Sequence, residues 1–237
     1  MKSKKRSGPA DQGDAAVDPR PFPKLPEDAP PPSVEMSAAR AQLLQSLQEA
    51  NERCLQMLVH AARAGATDTF PLVNHLRPHL RGLAPDVRAR AARMALLLVD
   101  MQLSDAAWWT HVRSHPTRPC PWPPARGSFP RASAVPLGRA TLMLAWHSVR
   151  SDPVGSLLLG VSPEVARVIA TFSLTELDRV VERRFRHVRP RWEDRPAVWR
   201  ALLLSAQRGD ARRTREVDLR AIQLMTGDLL ATRVALH

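Results

Sequence analysis

Two groups of arginines in the last third of the chain have the residue type and spacing to contact phosphate. A guanidinium group is permanently charged, and its fork of donors matches the oxygens of a phosphate. Both groups lie at or beyond the ends of predicted helices, and "QRGDARRTR" in the second is predicted to be a flexible loop. A solvated charged face is the alternative interpretation of each group. The predicted phosphate contacts are Arg183, Arg184, Arg186, Arg189, Arg191, Arg208, Arg212, Arg213 and Arg215.

No set of residues has the pattern of a catalytic or metal site, so the sequence predicts neither an enzyme nor a bound cofactor or metal. It contains no glycine-rich phosphate loop, no GxSxG and no HExxH. His75 and His79 stand four residues apart, but Pro78 lies between them and no carboxylate is close in sequence. Cys54 and Cys120 have no CxxC partner, which excludes a cysteine-built zinc site and fits a reducing cytoplasm.

The overall charge of the chain favours a polyanionic partner. The 237 residues carry a formal net charge of +12, almost all of it from arginine. Nucleic acid is the first expectation for such a chain, and an anionic membrane surface is the second. The apolar run "MALLLVDMQL" is interrupted by Asp100 and Gln102 and is too short to cross a membrane. We expect a cytoplasmic protein, because no apolar stretch follows the basic N-terminus as it would in a secretory signal.

Composition divides the chain into four predicted segments. Residues 1–37 are rich in proline and polar groups and are predicted to be a disordered arm. Residues 38–115 form an N-terminal helical unit. Residues 116–136, again rich in proline, form a linker or an extended strap. Residues 137–237 form a C-terminal helical domain. β-branched residues are few and no alternating run occurs, so the predicted fold is all-α.

Apolar residues at helical spacing locate the helices of the N-terminal unit. They predict helices over residues 38–64 and 69–81. A third helix is predicted to run through "APDVRARAARMALLLVDMQL", which has Pro85 near its start and strong helix formers throughout. A fourth helix begins at Ser104 or Asp105, which are both good N-caps.

Two consecutive helix starts in "LLLGVSPEVARVIATFSLTELDRVVERR" raise the question of a DNA-reading helix-turn-helix. Ser162 is the predicted N-cap of the first helix, and Ser173 forms a capping box with Glu176 in the second. The turn "ATFSL" is too apolar to lie over DNA, and the second helix starts with acidic residues that oppose phosphate. We therefore predict a helix pair that builds a core or a dimer.

Apolar residues in this region provide the predicted oligomer interface. Some of them must belong to the core of one chain, and the sequence does not divide the two sets. The candidates are Leu142, Leu144, Trp146, Leu157, Leu158, Leu159, Val168, Ile169, Phe172, Leu174 and Leu177.

Three stretches in order resemble the FlhD family of flagellar master transcriptional regulator subunits. "LMLAWHSVRSDPVGSLL" is similar to the opening helix of that family, and "LGVSPEVARVIATFSLTELDRVVE" to the segment that follows it. "VDLRAIQLMTGDLLATR" is similar to the closing region of the family. The resemblance covers residues 137–237. It implies an all-helical, intertwined homodimer that assembles with an FlhC-type subunit, binds promoter DNA and activates flagellar genes with RNA polymerase.

The chain also departs from the FlhD pattern. "FRHVRPRW" lacks the cysteine that often precedes this position in the family, and about 130 additional residues precede the resembling part. Within them, "ARMALLLVDMQLSDAAWW" resembles the start of FlhC, although the zinc cysteines of FlhC are missing. These departures indicate a divergent or extended FlhD-like regulator.

The expected function is that of a DNA-associated transcriptional activator subunit that acts as a helical oligomer. The alternative is a helical protein–protein adaptor or secretion-linked scaffold that does not bind DNA. It is supported by the proline-rich strap with Trp122 and by the adjacent Trp108 and Trp109, of which only one is expected to face inward. Membrane binding through the basic arm has no amphipathic insertion helix to support it.

Overall fold

Ten helices and one very short strand pair make up the part of the chain that the computed structural model describes, which is residues 34–65, 70–124, 127–151 and 153–234. The helices are α1 (Val34–Ala64), α2 (Pro71–Arg81), α3 (Pro85–Ala92), α4 (Ala106–Ser114), α5 (Arg131–Ser151), α6 (Pro153–Leu158), α7 (Pro163–Ile169), α8 (Leu174–Arg184), α9 (Pro196–Arg208) and α10 (Ala211–Val234). The prediction of an all-α fold is confirmed. The predicted disordered arm lies outside the described residues up to residue 33, and α1 begins four residues before the predicted helix start.

The third helix is shorter than the sequence predicts. It ends at Ala92, and residues 94–103 form a mostly buried, non-helical segment. The side chain of Asn51 on α1 satisfies this backbone. Its amide donates to the carbonyls of Ala92 (3.3 Å) and Leu96 (3.0 Å), and its oxygen accepts from the amide of Leu98 (2.7 Å). Tertiary contacts therefore override the helix propensity of "MALLLVDMQL".

This buried segment links the two halves of the chain. Its strand β1 (Val99–Asp100) pairs antiparallel with β2 (Arg189–Pro190). Helix α1 also packs on α5, and α2 and α3 both pack on α9. Val34–His237 is consequently one unit and does not divide at the proline-rich segment as predicted. The end of that segment is helical, since α5 begins at Arg131 and contains Pro136.

Both tryptophans of α4 are fully buried, so the prediction that only one faces inward is wrong. Trp108 lies 5.1 Å from the ring of His187, and Trp109 lies 5.9 Å from the ring of Phe172. The indole nitrogen of Trp109 donates to the carbonyl of Gln102 at 3.0 Å. Neighbouring side chains on a helix point about 100° apart, and this short helix is covered on both of those sides.

Several predicted helix caps are confirmed. The side chain of Asp105 accepts from the amide of Trp108 at the start of α4, and Ser162 caps α7 in the same way. Ser173 and Glu176 form the predicted capping box at the start of α8. These caps depend on residues only three positions apart, which is why the sequence reveals them.

The connection between α9 and α10 is much tighter than the predicted flexible loop. Helix α9 ends at Arg208, Gly209 adopts a left-handed conformation (φ 65°), and α10 begins at Ala211. The side chain of Asp210 accepts from the amides of Arg212 (2.9 Å) and Arg213 (3.3 Å). The arginines of the second predicted group therefore lie mostly on a helix. None of the helices among the described residues is long and apolar enough to cross a membrane.

A close contact at Gly160 gives a test of the fold. Gly160 and Gly209 have nearly the same backbone angle (φ 67° and 65°), but a Cβ on Gly160 would overlap Arg191 and Met225, whereas Gly209 has open space. We expect Gly209→Ala to lower the free energy of unfolding by about 1 kcal/mol, the cost of a left-handed residue with a side chain. Gly160→Ala should lower it by about 3 kcal/mol or more, because overpacking is added. Urea unfolding of both variants measures the difference, and equal losses would contradict the close packing.

Candidate nucleic-acid interface

The structure removes Arg189 and Arg191 from the predicted phosphate contacts, because both side chains are buried. Arg189 pairs with Glu193 (2.8 Å), donates to the carbonyl of Gly127 (2.9 Å) and lies over the ring of Phe70 (4.9 Å). These contacts satisfy its guanidinium group inside the protein, and phosphate would have to displace them. Burial at the same site raises the pKa of Glu193.

Arg191 is held even more deeply in the interior. Its guanidinium donates to the carbonyls of Leu159 (2.7 Å) and Val99 (3.3 Å) and contacts the sulfur of Met225 (2.9 Å). Asp100 lies 3.7 Å away. Burial lowers the pKa of Arg191, although the nearby Asp100 and Asp228 oppose that shift. A polar cleft of about 300 Å³ adjoins this region.

The other arginines of the first group lie at the surface, but two of them hold the proline-rich segment in place. Arg183 donates to the carbonyl of Pro116 (2.8 Å), and Arg184 donates to the carbonyl of Arg118. Arg186 is exposed, and no ion pair involves it among the described residues. In the first group, Arg186 is therefore accessible to a phosphate. Arg183 and Arg184 could bind a phosphate only by breaking their hydrogen bonds to the proline-rich segment.

The second group of arginines is exposed throughout. Arg208 ends α9, while Arg212, Arg213 and Arg215 occupy the first turns of α10. The ion pair recorded for this group among the described residues joins Arg212 to Glu216 (3.4 Å), and the Arg212 side chain is 90% exposed. An exposed pair of this kind is weak and leaves the guanidinium accessible to another anion.

Arg220 belongs to the same surface, although the sequence analysis did not single it out. It is exposed and stands seven residues, or about two helical turns, after Arg213, so both lie along one edge of α10. The seven-residue separation of Arg213 and Arg220 indicates a shared edge only if this whole stretch is helical. We name the surface formed by Arg208, Arg212, Arg213, Arg215 and Arg220 the arginine corner.

The electrostatic surroundings of the arginine corner are positive. It lies at the start of the 24-residue helix α10, where the aligned peptide dipoles add partial positive charge. Its acidic neighbours in sequence are Asp210, Glu216 and Asp218. Asp210 accepts from backbone amides at the start of α10, Glu216 pairs with Arg212, and burial raises the pKa of Asp218. The arrangement can bind a polyanion.

The predicted oligomer interface is largely interior to the chain. Leu142, Leu159, Ile169, Phe172 and Leu177 are buried in the core and are not available to a second copy. The side chains that are half-buried and packed on that core are Leu144, Trp146, Leu158 and Val168. The exposed ones are Leu157 (46%) and Leu174 (43%). Helix α5 packs against both α7 and α8 in this region.

An exposed apolar stripe on α10 was not predicted. Leu219 is 61% exposed, Ile222 38% and Leu230 57%, and the spacing of three and eight residues places them on one face. Val217, Ala221 and Met225 lie on the opposite, buried face of the same helix. Apolar residues on both faces of α10 give little amphipathic contrast, so the sequence alone does not show which set faces solvent.

The described residues contain no group of three or more histidine, cysteine, aspartate or glutamate side chains that could hold a metal ion. His75 and His79 lie on α2, and Pro78 is accommodated inside that helix. Cys54 is fully buried, and burial raises the pKa of its thiol to about 12, so it is unreactive.

Buried His187, next to Arg184 and Arg189, makes stability depend on pH. Burial and then the two positive charges lower the pKa of His187 from 6.5 to about 4. Below pH 6.5 the unfolded chain binds a proton at this residue that the folded chain does not. Stability should therefore fall between pH 6.5 and 4, by up to about 3 kcal/mol from this group. Urea unfolding across that range should show a shallower decline for His187→Gln, and parallel declines would refute the assignment.

Comparisons of the chain with family models, with curated proteins and with solved structures give no match. The arginine corner, the α10 stripe and the cavities of the fold are therefore interpreted through their own chemistry. Of these features, the arginine corner combines the highest exposure with the clearest preference for one class of partner, a polyanion.

Proposed function

We propose that the protein is a DNA-associated transcriptional regulator that acts as a helical oligomer and contacts DNA phosphates through the arginine corner. The observation that carries this proposal is the exposure of five arginines around one helix junction, with Arg208 at the end of α9 and the other four in the first three turns of α10. Arginines and a helix N-terminus are both regular phosphate ligands in protein–DNA complexes. Contacts of this kind position a protein on DNA without reading its sequence.

The resemblance of residues 137–237 to the FlhD family supports the role of an activator subunit. It also suggests the partners of such a subunit, which are promoter DNA, an FlhC-like protein and RNA polymerase. The helical composition of this region is in keeping with that suggestion. Flagellar genes are the targets proposed on this basis.

The adaptor alternative loses one of its two supporting features. Trp108 and Trp109 are fully buried, so they cannot form a partner surface without unfolding α4. Trp122 remains 45% exposed and packs edge-on against His111 at a ring distance of 5.7 Å. One exposed tryptophan is weaker support for a partner surface than a cluster of five exposed arginines is for DNA.

The arginine corner can be tested by removing four of its charges. In Arg208→Gln/Arg212→Gln/Arg213→Gln/Arg215→Gln, DNA binding should weaken regardless of sequence. The slope of log K against log salt should become shallower by about three to four, because each lost phosphate contact removes about 0.9. Fluorescence anisotropy with labelled duplexes between about 50 and 200 mM salt measures both quantities.

A matched control removes four exposed arginines elsewhere, as Arg40→Gln/Arg63→Gln/Arg93→Gln/Arg179→Gln. This variant has the same net charge as the corner variant, so it measures the effect of overall charge. If both variants lose the same affinity and slope, the corner is not the contact surface. If the unaltered protein does not bind DNA at low salt, the proposed function is wrong.

We propose that the α10 stripe forms the interface of a homodimer. In a two-fold contact, residue i of the first copy meets residue j of the second, and residue j of the first meets residue i of the second. Antiparallel packing of two α10 helices sets Leu219 against Leu230 and places Ile222 close to Thr226. This arrangement buries the exposed leucines and keeps the corner arginines of the two copies apart.

The interface is tested by placing charge on the stripe. Leu219→Glu/Leu230→Glu should convert the dimer to a monomer at micromolar concentration, because four carboxylates would be buried in the contact. Both side chains are exposed in the single chain, so its thermal stability should change little. Light scattering after size-exclusion chromatography measures the mass.

Leu174→Glu is the control, because it adds charge to another exposed leucine (43%), which lies on α8. A dimer broken by Leu174→Glu and retained in the stripe variant would move the interface to the originally predicted α5–α8 face. An unaltered protein that is monomeric at these concentrations would exclude the dimer.

A further inference from the structure

A cavity of about 720 Å³ lies between α1, the segment before α5 and the first turns of α5. Six residues of α1 line the cavity, and they lie alternately three and one positions apart in sequence, so they form one stripe of that helix. They are Arg53, Gln56, Met57, His60, Ala61 and Ala64. Its size is within the range of small-molecule sites and well above that of a packing defect.

The floor of the cavity is apolar and rigidly packed. Phe70 and Phe129 meet edge-to-face with a ring distance of 4.7 Å, and both are buried. Leu137 is buried beside them, and Met57 and Ala61 of α1 are half-buried. Phe70 is also backed by the guanidinium of Arg189 (4.9 Å from the ring centre), so the floor is fixed from behind. An apolar body placed here would contact the more accessible apolar side chains of the lining, those of Met57, Ala61, Ala64, Pro130 and Pro136, and would be removed from water.

The rim of the cavity is polar and has a single sign of charge. Arg53 lies on it with Gln56 and His60, and none of the described residues that line the cavity is acidic. Arg53 forms no ion pair with a carboxylate in the described part of the chain. Glu49, one helical turn before it, instead accepts from the amide of Gln45 (3.4 Å). An apolar floor with one unpaired cation at its edge is complementary to a molecule with an apolar body and an anionic end.

We propose that this cavity binds a small amphipathic organic anion, such as a medium-chain carboxylate, with its chain against the apolar lining and its charge at Arg53. Carboxylate and guanidinium form a charge-assisted contact, and the rim has no carboxylate to repel the ligand. The site involves other elements than the arginine corner. Ligand binding is therefore independent of DNA binding, and the two proposals fail independently.

Calorimetric titration of the full chain with decanoate, below the concentration at which it forms micelles, tests this site. One molecule should bind per chain. Arg53→Gln should weaken decanoate about fivefold, the upper range for an exposed ion pair, and should leave the binding of uncharged decanol unchanged. Ala61→Trp, which fills the cavity from α1, should abolish the binding of both molecules.

The controls are Arg63→Gln, which removes an exposed arginine from the same helix, and Ala197→Trp, which adds an indole to an exposed position on α9. Thermal unfolding shows whether each variant is folded. If Ala61→Trp does not fold, the exposed Arg53 variant still decides the outcome. Equal effects of Arg53→Gln and Arg63→Gln on decanoate, binding retained in a folded Ala61→Trp, or the absence of any binding would each overturn the proposal.

Discussion

The rest of the fold depends on the contacts that the buried guanidinium of Arg191 makes. It joins the carbonyls of Val99 and Leu159 and the sulfur of Met225, while its own backbone amide donates to Leu98 at 2.8 Å. Four parts of the chain that are distant in sequence meet at this one side chain. A buried cation carries a large desolvation cost, so its carbonyl partners and Asp100 are needed to retain it. Glycine at position 160 is required because the guanidinium occupies the space of a side chain.

This interaction explains why the chain is one unit despite its proline-rich middle. Residues 94–103 are non-helical and mostly buried because Asn51 and β2 satisfy much of their backbone, and Arg191 fixes them to the C-terminal half. Arg183 and Arg184 hold part of the proline-rich segment against α8 through carbonyl contacts. Proline frees backbone carbonyls from regular hydrogen bonding, and arginine is well suited to bind them. Much of the arginine content therefore has a structural role.

Sequence reasoning succeeded where structure is local. The caps at Ser162 and Ser173 were predicted correctly, and Asp105 is one of the two predicted candidates for α4, because each cap depends on residues three positions apart. It failed where distant parts of the chain compete with propensity, as in the third helix, whose continuation is replaced by contacts to Asn51. For the candidate site, charge and residue type could not separate the interior Arg189 and Arg191 from the exposed arginines. That division depends on the pairing of β1 with β2, for which the sequence contains no alternating pattern.

The position of α10 in the fold accounts for the concentration of exposed functional groups on it. Most helices are covered on several sides, whereas α10 packs chiefly on α9 and is anchored by Met225 at the Arg191 site. One buried face, including Val217, Ala221 and Met225, is enough to hold it. The remaining surface of α10 is then free to carry both the arginine corner and the α10 stripe. A helix that packs chiefly on one other helix can present a charged edge to a polyanion and an apolar face to a second copy, because neither surface is needed for folding of the chain itself.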